Sequence, residues 1–353
     1  MLRIAMISTP FIPVPPRDYG GTELIVHELV EGLLDRGHQV TLFATGDSQT
    51  RASLQAIYDE AIWPPEPFAE LDHVSWALRQ AAEMGSDVVH AHSPCALALS
   101  RVSPWPPLVY TIHHAQEPPL SRYYSRFPDV DYVAISSDQC RRETGPDWCT
   151  VIHHGLDAGR YQWSERPEPY VCFVGRLARE KGPVTAIDAA ARAGVPIRMA
   201  GSIHPPDQAY VEAKVLRRLS GPGVTWMGPI GMDRKGPLLR DARALLAPIE
   251  WNEPFGLILI EALLSGCPVV AFGRGSVPEL IEHGVTGFVA ASEDDMVELI
   301  RPGGPVDGLD RRRIRNIAAR RFDRSRMVAD YERVYHAAAG KTRRPSLRPI
   351  TAA

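Results

Sequence analysis

Two glutamates, Glu253 and Glu261, lie eight positions apart in the stretch EPFGLILIE. Pro254 and Gly256 predict a loop at Glu253, and the apolar residues that follow predict a helix carrying Glu261. Five residues of helix rise roughly 7 Å, and a carboxylate accepts hydrogen bonds from vicinal hydroxyls. This spacing suits a ligand with a sugar at the loop, phosphates at the helix start and a ribose beside Glu261. The alternative is an ordinary helix start, where acidic residues are favoured.

Two cations, Arg176 and Lys181, follow a predicted strand in the segment FVGRLAREKG. Ligands of open α/β sheets bind outside the carboxyl ends of the strands. A guanidinium and an ammonium at that edge can hold a diphosphate. A solvent-exposed basic loop without a ligand is the alternative, since it could contain the same two cations. The glutamates farther along the chain favour the binding site over this alternative.

A second anion site is indicated by Gly20 and Gly21 in DYGGTELIV, which precede a helix that begins near Thr22 and Glu23. Paired glycines allow close approach of the backbone to a phosphate, and helix N-terminal amides favour negative charge. The same residues also fit a helix cap without any ligand.

The elements that must position these residues alternate between short apolar runs and helix-period segments, which is typical of parallel sheets wrapped by helices. At 353 residues the chain exceeds one typical core. We therefore predict an α/β protein of two doubly wound, Rossmann-like domains with a cleft between them. The predicted units are an N-terminal domain at 1–163, a C-terminal domain at 168–320, closing helices at 321–339 that return to the N-terminal domain, and a disordered tail at 340–353.

The composition excludes several partners. A net charge of −3 gives no global reason to bind nucleic acid. The eight arginines between Arg311 and Arg326 have only Phe322 among them as an aromatic platform, so we assign them to solvated helix faces and expect no nucleic-acid partner. The aromatic and basic stretch PLSRYYSRF is compatible with a peripheral membrane contact or an acceptor element, although an ordinary surface helix is favoured.

Neither a signal peptide nor a membrane span is expected from the sequence. The first apolar stretch is broken by Pro10 and Pro13, and no later run reaches the ~18 apolar residues of a span. The five cysteines are scattered without paired-ligand spacing, which indicates reduced thiols and a cytoplasmic location.

Three patterns imitate other sites. GRGSVPEL resembles a dinucleotide fingerprint, but Pro278 occupies its sixth position and it lies late in its domain. The histidine pairs of DVVHAHS, TIHH and VIHH lie near strand ends, where plain hydrogen bonding is commoner than metal binding. Asp129 and Asp131 in DVD mimic a metal-binding carboxylate pair, but they directly precede an apolar strand. We expect neither NAD nor a metal cofactor.

The segment EPFGLILIEALLSGCPVVAFGRGSVPELIEHGVTGFV resembles the donor site of the retaining nucleotide-sugar glycosyltransferases of family 4. VGRLAREKG, GGTE and HGLD resemble the companion motifs of that family in the expected order, and the likeness extends to about Tyr335. It implies two Rossmann-like domains of the GT-B type, with the donor in the cleft.

The resemblance also implies roles for individual residues. Arg176 and Lys181 would bind the diphosphate, Gly20 and Gly21 would approach it, and Glu261 would hold the ribose. The donor sugar would contact Glu253, His113 and the segment Phe255, Gly256 and Leu257. Either His113 or His114 would face the sugar, and His154 replaces an asparagine that is frequent in the family.

The function expected from the resemblance is retaining transfer of a hexosyl group from a nucleoside diphosphate sugar, UDP-glucose-like or GDP-mannose-like, to a hydroxyl acceptor. Because Arg176, Lys181 and a helix dipole already supply positive charge for the leaving diphosphate, we expect this transfer to be metal-independent. The acceptor would be a sugar, a lipid-linked sugar or a small metabolite. A sugar-nucleotide epimerase of the same fold and a non-catalytic sugar-nucleotide-binding protein are the alternatives.

Overall fold

The computed structural model describes residues 1–18, 20–102, 105–146 and 149–341. Within them the chain forms two parallel sheets, one of seven strands with order β3-β2-β1-β4-β5-β6-β7 and one of six with order β10-β9-β8-β11-β12-β13. This confirms the predicted fold class of two doubly wound α/β domains. Residues 342–353 of the predicted tail lie outside the described residues.

The strands coincide with the apolar runs of the sequence, because both faces of a parallel sheet are covered by helices and must be apolar. The strands are β1 Arg3–Ile7, β2 Gln39–Phe43, β3 Ser53–Gln55, β4 Val88–Ala91, β5 Leu108–Ile112, β6 Asp131–Ala134, β7 Thr150–Val151, β8 Val171–Val174, β9 Ile197–Ala200, β10 Val224–Trp226, β11 Ala244–Ala247, β12 Val269–Phe272 and β13 Gly287–Ala290. The short edge strand β3 has no apolar run and was not predicted.

The helices cover both faces of each sheet. They are α1 Gly21–Asp35, α2 Pro67–Glu83, α3 Cys95–Leu99, α4 Pro118–Tyr124, α5 Ser137–Arg142, α6 Pro183–Ala193, α7 Gln208–Tyr210, which continues through a π turn at Val211–Val215 into α8 Leu216–Leu219, α9 Met232–Asp241, α10 Leu257–Leu264, α11 Val277–Leu280, α12 Glu293–Ile300, α13 Arg311–Arg321 and α14 Arg324–Ala339. Short 3₁₀ turns lie at Ala158–Arg160, Arg179–Lys181, Pro205–Asp207 and Pro305–Gly308.

The last helix crosses from the C-terminal half of the chain to the N-terminal sheet. α14 packs against α1, β4 and β5, and it buries Tyr331 and Tyr335 completely. The Tyr335 hydroxyl lies 2.7 Å from Nδ1 of His90, and the Tyr331 hydroxyl lies 2.9 Å from Oγ1 of Thr111. The helix is thus part of the core of the N-terminal domain.

The arginines of α13 and α14 include several that are not on solvated faces, which corrects the prediction for them. Arg311 donates to three backbone carbonyls, and Arg326 donates to the carbonyls of His153 and His154. Arg315 and Arg321 bind carbonyls in the same way. These guanidiniums connect the closing helices to backbone carbonyls of other segments, several of them at segment ends.

The expectation of reduced thiols was wrong for one pair of cysteines. Cys140 and Cys149 form a disulfide that closes a loop between the end of α5 and the start of β7. Cys95, Cys172 and Cys267 are free. The loop brings together two cysteines only nine positions apart, and no repeated spacing in the sequence marks that pairing.

Membrane crossing by a helix is not supported in the described ranges, since none of their helices is long and apolar enough.

A carboxylate from the C-terminal domain, Glu279 of α11, joins the two domains. Its oxygens accept the backbone N–H groups of Ser137 and Asp138, at 2.8 and 2.6 Å, and lie 3.0 Å from Nε2 of His153. Ser137 and Asp138 form the start of α5 in the N-terminal domain. Burial acts to raise the pKa of Glu279, but these donors outweigh it and lower the pKa below 4.5.

Glu279→Gln is expected to lower the free energy of unfolding at pH 7 by about 1–3 kcal/mol, because a neutral amide accepts these bonds more weakly than a carboxylate. A lowered carboxyl pKa stabilises the folded state above pH 4.5, and that stabilisation is lost as the pH falls through the lowered value. Thermal unfolding at several pH values should therefore show the variant and the wild type converging below pH 4.5. Glu282→Gln is the matched control, since its carboxylate is nearly half exposed. A difference that persists unchanged in acid would contradict the assignment.

Candidate functional site

A cavity of about 540 Å³ lies in the cleft between the two sheets. Its walls contain every site residue predicted from the sequence: Gly20, Gly21, His113, Arg176, Lys181, Glu253, Phe255, Gly256, Leu257 and Glu261. These residues come from both domains and from segments up to 241 positions apart, Gly20 to Glu261. The structure therefore brings the predicted set together in one place, while the role of each residue stays a prediction.

The loop that carries Glu253 is held by the turn after β12. A Cβ on Gly275 would lie 2.3 Å from the carbonyl oxygen of Glu253, so only glycine allows this approach, at a φ of +58°. The next residue, Ser276, donates its N–H to the Glu253 carbonyl at 3.0 Å and its hydroxyl to the Phe255 carbonyl at 2.6 Å. Gly275, one of the two glycines that imitate a dinucleotide fingerprint, thus supports the loop of Glu253.

Lys181 and Glu253 form an ion pair in the cavity wall. The Lys181 ammonium contacts one oxygen of the Glu253 carboxylate and lies 5.0 Å from the centre of the Trp251 ring. The Trp251 indole N–H donates to that same carboxylate oxygen at 2.8 Å. Gly182 makes this placement possible, because a Cβ there would lie 2.1 Å from the Pro248 carbonyl oxygen.

Arg176 lies just beyond the carboxyl end of β8, as the sequence predicts. Its guanidinium contacts the carboxylates of Glu180 and Asp207, the latter at 3.2 Å. The guanidinium is about one third exposed and borders the cavity. Two carboxylates orient it, so it is positioned before any anion arrives.

Glu261 lies on the first turns of α10 and is almost completely buried. Its Oε1 accepts from the Lys235 ammonium at 2.7 Å and from the Tyr161 hydroxyl at 3.3 Å. Lys235 also lines the cavity, and the sequence analysis did not identify it. Lys235 belongs to the polar segment GMDRKGPLLRD, in which Pro237 lies inside a helix. The position of Lys235 opposite Glu261 depends on the tertiary structure and not on any local pattern.

The N-terminal wall is formed by the start of α1 and the preceding loop. A Cβ on Gly21 would lie 3.3 Å from the Leu257 side chain, so the two domains approach each other closely there. Glu23 lines the same wall, is buried, and accepts from the Thr9 hydroxyl at 2.9 Å. Burial raises its pKa above the ordinary 4.5. Ile12, Pro16 and Asp18 extend this wall toward the loop before α1.

Three histidines from two segments of the chain line the cavity beside Glu253's loop. The rings of His113 and His154 stack with centres 5.6 Å apart, and the ring of His154 meets that of Phe255 edge to face at 4.8 Å. His114 also borders the cavity and lies 2.9 Å from the Tyr124 hydroxyl. Burial, followed by the neighbouring imidazole of His92, lowers the pKa of His113 well below 6.5, so it is neutral at pH 7.

The described part of the chain contains no group of three His, Cys, Asp or Glu side chains placed to hold a metal ion. Asp131 of the DVD pair is the first residue of β6, and its carboxylate contacts the Lys341 ammonium at 2.5 Å. It therefore lies at the amino end of its strand, whereas the cavity lies at the carboxyl ends.

The cavity combines the groups that a diphosphate joined to two sugars requires. Arg176, Lys181 and Lys235 are cationic, and the N-terminus of α10 adds the positive end of a helix dipole. Glu253 and Glu261 offer acceptors for hydroxyl groups. Each of these cations is paired with at least one carboxylate.

Two family models match consecutive parts of the chain. "Glycosyltransferase Family 4" matches residues 19–160, and "Glycosyl transferases group 1" matches residues 161–302. The border between them falls between the two sheets. Together they include all the cavity residues from Gly20 to Glu261. The cavity residues of the loop before α1 precede the first match.

Known proteins similar to this chain include enzymes and solved structures. The glycogen synthase of Mycobacterium tuberculosis is 28% identical over 83% of each chain. The structure of AviGT4, a glycosyltransferase involved in avilamycin A biosynthesis, is 26% identical with a TM-score of 0.73, covering 97% of this chain and 99% of that one. The Anabaena protein Alr3699/HepE, solved with UDP and glucose, has a TM-score of 0.74 at 21% identity, covering 96% of this chain and all of that one.

Proposed function

Because the chain belongs to the GT-B glycosyltransferases of family 4, we propose that it transfers a hexosyl group from a nucleoside diphosphate sugar to a hydroxyl acceptor, with retention of anomeric configuration and without a metal ion. The observation that carries the proposal is the convergence of three cations, two carboxylates and the start of α10 on one cavity. The Anabaena neighbour was solved with UDP and glucose, so UDP-glucose is the first donor to test and GDP-mannose the second.

The proposed reaction breaks the bond between the anomeric carbon and the β-phosphate oxygen. The electron pair passes to the diphosphate, and Arg176, Lys181 and Lys235 stabilise the charge that develops there. The anomeric carbon becomes positively charged in the transition state, and Glu253 orients the sugar and stabilises that charge. The departing phosphate oxygen takes the acceptor proton while the acceptor oxygen bonds to the same face of the sugar.

Metal independence is proposed on the supply of positive charge. A divalent ion at such a site would neutralise the leaving diphosphate, and here three side chains and a helix dipole can do so. Positioned cations act without reorganising when the bond breaks, which is the condition for effective electrostatic catalysis.

The acceptor is proposed to bind between the N-terminal wall and the donor sugar. That wall presents Ile12, Pro16 and Ile135 as apolar surface and Glu23 as a buried carboxyl. Closing of the domains over both substrates would exclude water and limit hydrolysis of the donor.

A thermal-shift screen of nucleoside diphosphates and their sugars tests the proposal. A ligand present at 100 times its dissociation constant should stabilise the fold by roughly 2.7 kcal/mol. We expect one nucleoside diphosphate to stabilise the protein equally in EDTA and in magnesium, and NAD to have no effect. Stabilisation only in magnesium would contradict metal independence, and stabilisation by NAD alone would overturn the function. Donor turnover without any acceptor and with inversion at a ring carbon would instead indicate an epimerase.

A further inference from the structure

A second imidazole lies directly behind the cavity histidine. His92, which follows β4, is 5% exposed, and its Nδ1 lies 2.7 Å from Nε2 of His113. The ring centres are 5.0 Å apart. His92 does not border the cavity itself, so any effect it has on a ligand must pass through His113.

Both imidazoles are neutral at pH 7. Burial first, and then the nearby imidazoles, hold the pKa of each well below 6.5. A neutral imidazole has one N–H group and one nitrogen lone pair. One hydrogen therefore lies between Nδ1 of His92 and Nε2 of His113, and it is bonded to one of these two nitrogens.

The contact with Met6 determines which of the two rings carries the hydrogen between them. The other nitrogen of His92, Nε2, lies 3.3 Å from the Met6 thioether sulfur. A thioether can accept a hydrogen bond but cannot donate one, so Nε2 of His92 carries the hydrogen. Nδ1 of His92 is then the acceptor, and the N–H group that joins the pair belongs to Nε2 of His113.

We propose that His92 is a positioning residue that holds His113 in the tautomer protonated at Nε2, so that Nδ1 of His113 offers its lone pair to a hydroxyl of the donor sugar. The substrate named here rests on the proposed function, whereas the tautomer does not. Nδ1 of His113 has no hydrogen-bond partner among the described residues, although the ring lines the cavity. The stacked ring of His154, tilted by only 21°, restricts rotation of His113 on its other side.

The arrangement is suited to a centre that develops positive charge. A neutral ring that accepts a hydrogen bond adds no positive charge near the anomeric carbon, whereas an imidazolium would oppose bond breaking. A free histidine would sample both tautomers and spend part of its time with an N–H directed at the hydroxyl. Fixing the tautomer through a second group is a general means of making a histidine effective.

His90 provides the matched control. It lies two residues before His92, is equally buried, and its ring centre is 4.2 Å from that of His92. Its nitrogens, however, contact the Tyr335 and Thr111 hydroxyls at 2.7 and 2.8 Å and not His113. Loss of the His90 ring would disturb packing without releasing the His113 tautomer.

The direct test is long-range ¹H–¹⁵N NMR of the intact, histidine-labelled protein, which distinguishes the two tautomers. We expect His113 protonated at Nε2 with a bare Nδ1, and a shift of the Nδ1 resonance when UDP-glucose binds. Protonation at Nδ1 in the wild type would overturn the inference. This measurement needs no turnover, so a failure of the proposed function would not be mistaken for a failure of the tautomer.

Variants test the positioning role through donor hydrolysis in the absence of acceptor. His92→Phe is expected to lower kcat ~10- to 100-fold, by analogy with the loss of a group that orients a metal-binding histidine, with UDP affinity unchanged. His92→Asn places an amide oxygen near the position of Nδ1 and should recover much of that loss. His90→Phe should leave the NMR tautomer of His113 as in the wild type. Equal losses in the Phe and Asn variants of His92, or no loss in either, would contradict the role.

Discussion

Lys181→Ala is expected to weaken the binding of UDP roughly 10- to 150-fold, corresponding to the ~1.5–3 kcal/mol of a hydrogen bond to a charged group. The ammonium is held between the Glu253 carboxylate and the Trp251 ring. Its removal also leaves Glu253 without its cation beside an incoming diphosphate, so repulsion adds to the loss and favours the upper part of this range.

Isothermal titration with UDP measures the effect of Lys181→Ala. Lys214→Ala serves as the control, since Lys214 is an exposed cation of the same domain that does not line the cavity. The loss should decrease with ionic strength, because it arises partly from charge. An affinity equal to that of the control would remove Lys181 from the diphosphate site.

Glu253→Ala is expected to lower the rate of sugar transfer ~10²- to 10³-fold, the range for removing one group that stabilises charge in a transition state. UDP lacks the sugar that Glu253 is proposed to orient, so its affinity should change little or even increase. The backbone of the loop should survive the change, because Gly275 and Ser276 hold it through main-chain atoms and the Phe255 carbonyl.

Glu253→Gln separates charge from hydrogen bonding. An amide keeps acceptor and donor capacity for sugar hydroxyls but lacks the negative charge that is proposed to face the anomeric carbon. We expect Gln to be nearly as slow as Ala if charge matters most, and much faster if orientation matters most. Steady-state kinetics with the donor established by the thermal-shift screen, together with UDP titration, provides both readouts. Full activity of the Ala variant would discard the assigned role.

Much of the fold follows from pattern alone. A parallel sheet buried on both faces demands continuous apolar runs, and twelve of the thirteen strands coincide with such runs. The exception is β3, Ser53–Gln55, which is an edge strand of three residues. Its pairing with β2 depends on the tertiary structure, and its residues carry no local preference that would indicate it.

The candidate site was predictable where its residues follow strand ends. Arg176 and Glu253 belong to segments whose position at the carboxyl edge is set by the order of strand, turn and helix. Lys235 and His92 act through partners 26 and 21 positions away. Such contacts depend on the order of strands in the sheet, which periodicity does not encode.

The arginines of the closing helices also make contacts that sequence periodicity does not predict. A helical pattern predicts which face is polar, but it does not show whether that face meets water or the ends of other segments. Arg311 and Arg326 lie on faces that meet backbone carbonyls of other segments, to which they donate hydrogen bonds. These hydrogen bonds depend on how α13 and α14 pack against the two domains, which the helical pattern does not show.

The return of α14 to the N-terminal sheet means that the chain passes between the domains twice, once near residues 160–170 and once near 322–324. The two connections lie close together, because the N–H group of Leu156 donates to the Phe322 carbonyl at 2.9 Å and Leu156 forms a β-bridge with Asp323. We expect two adjacent connections to resist twisting of one domain against the other, so that the faces carrying His113 and Glu253 keep their alignment if the domains move. Truncation of the chain after residue 320 would remove the second connection and expose the sheet surface that Tyr331 and Tyr335 cover.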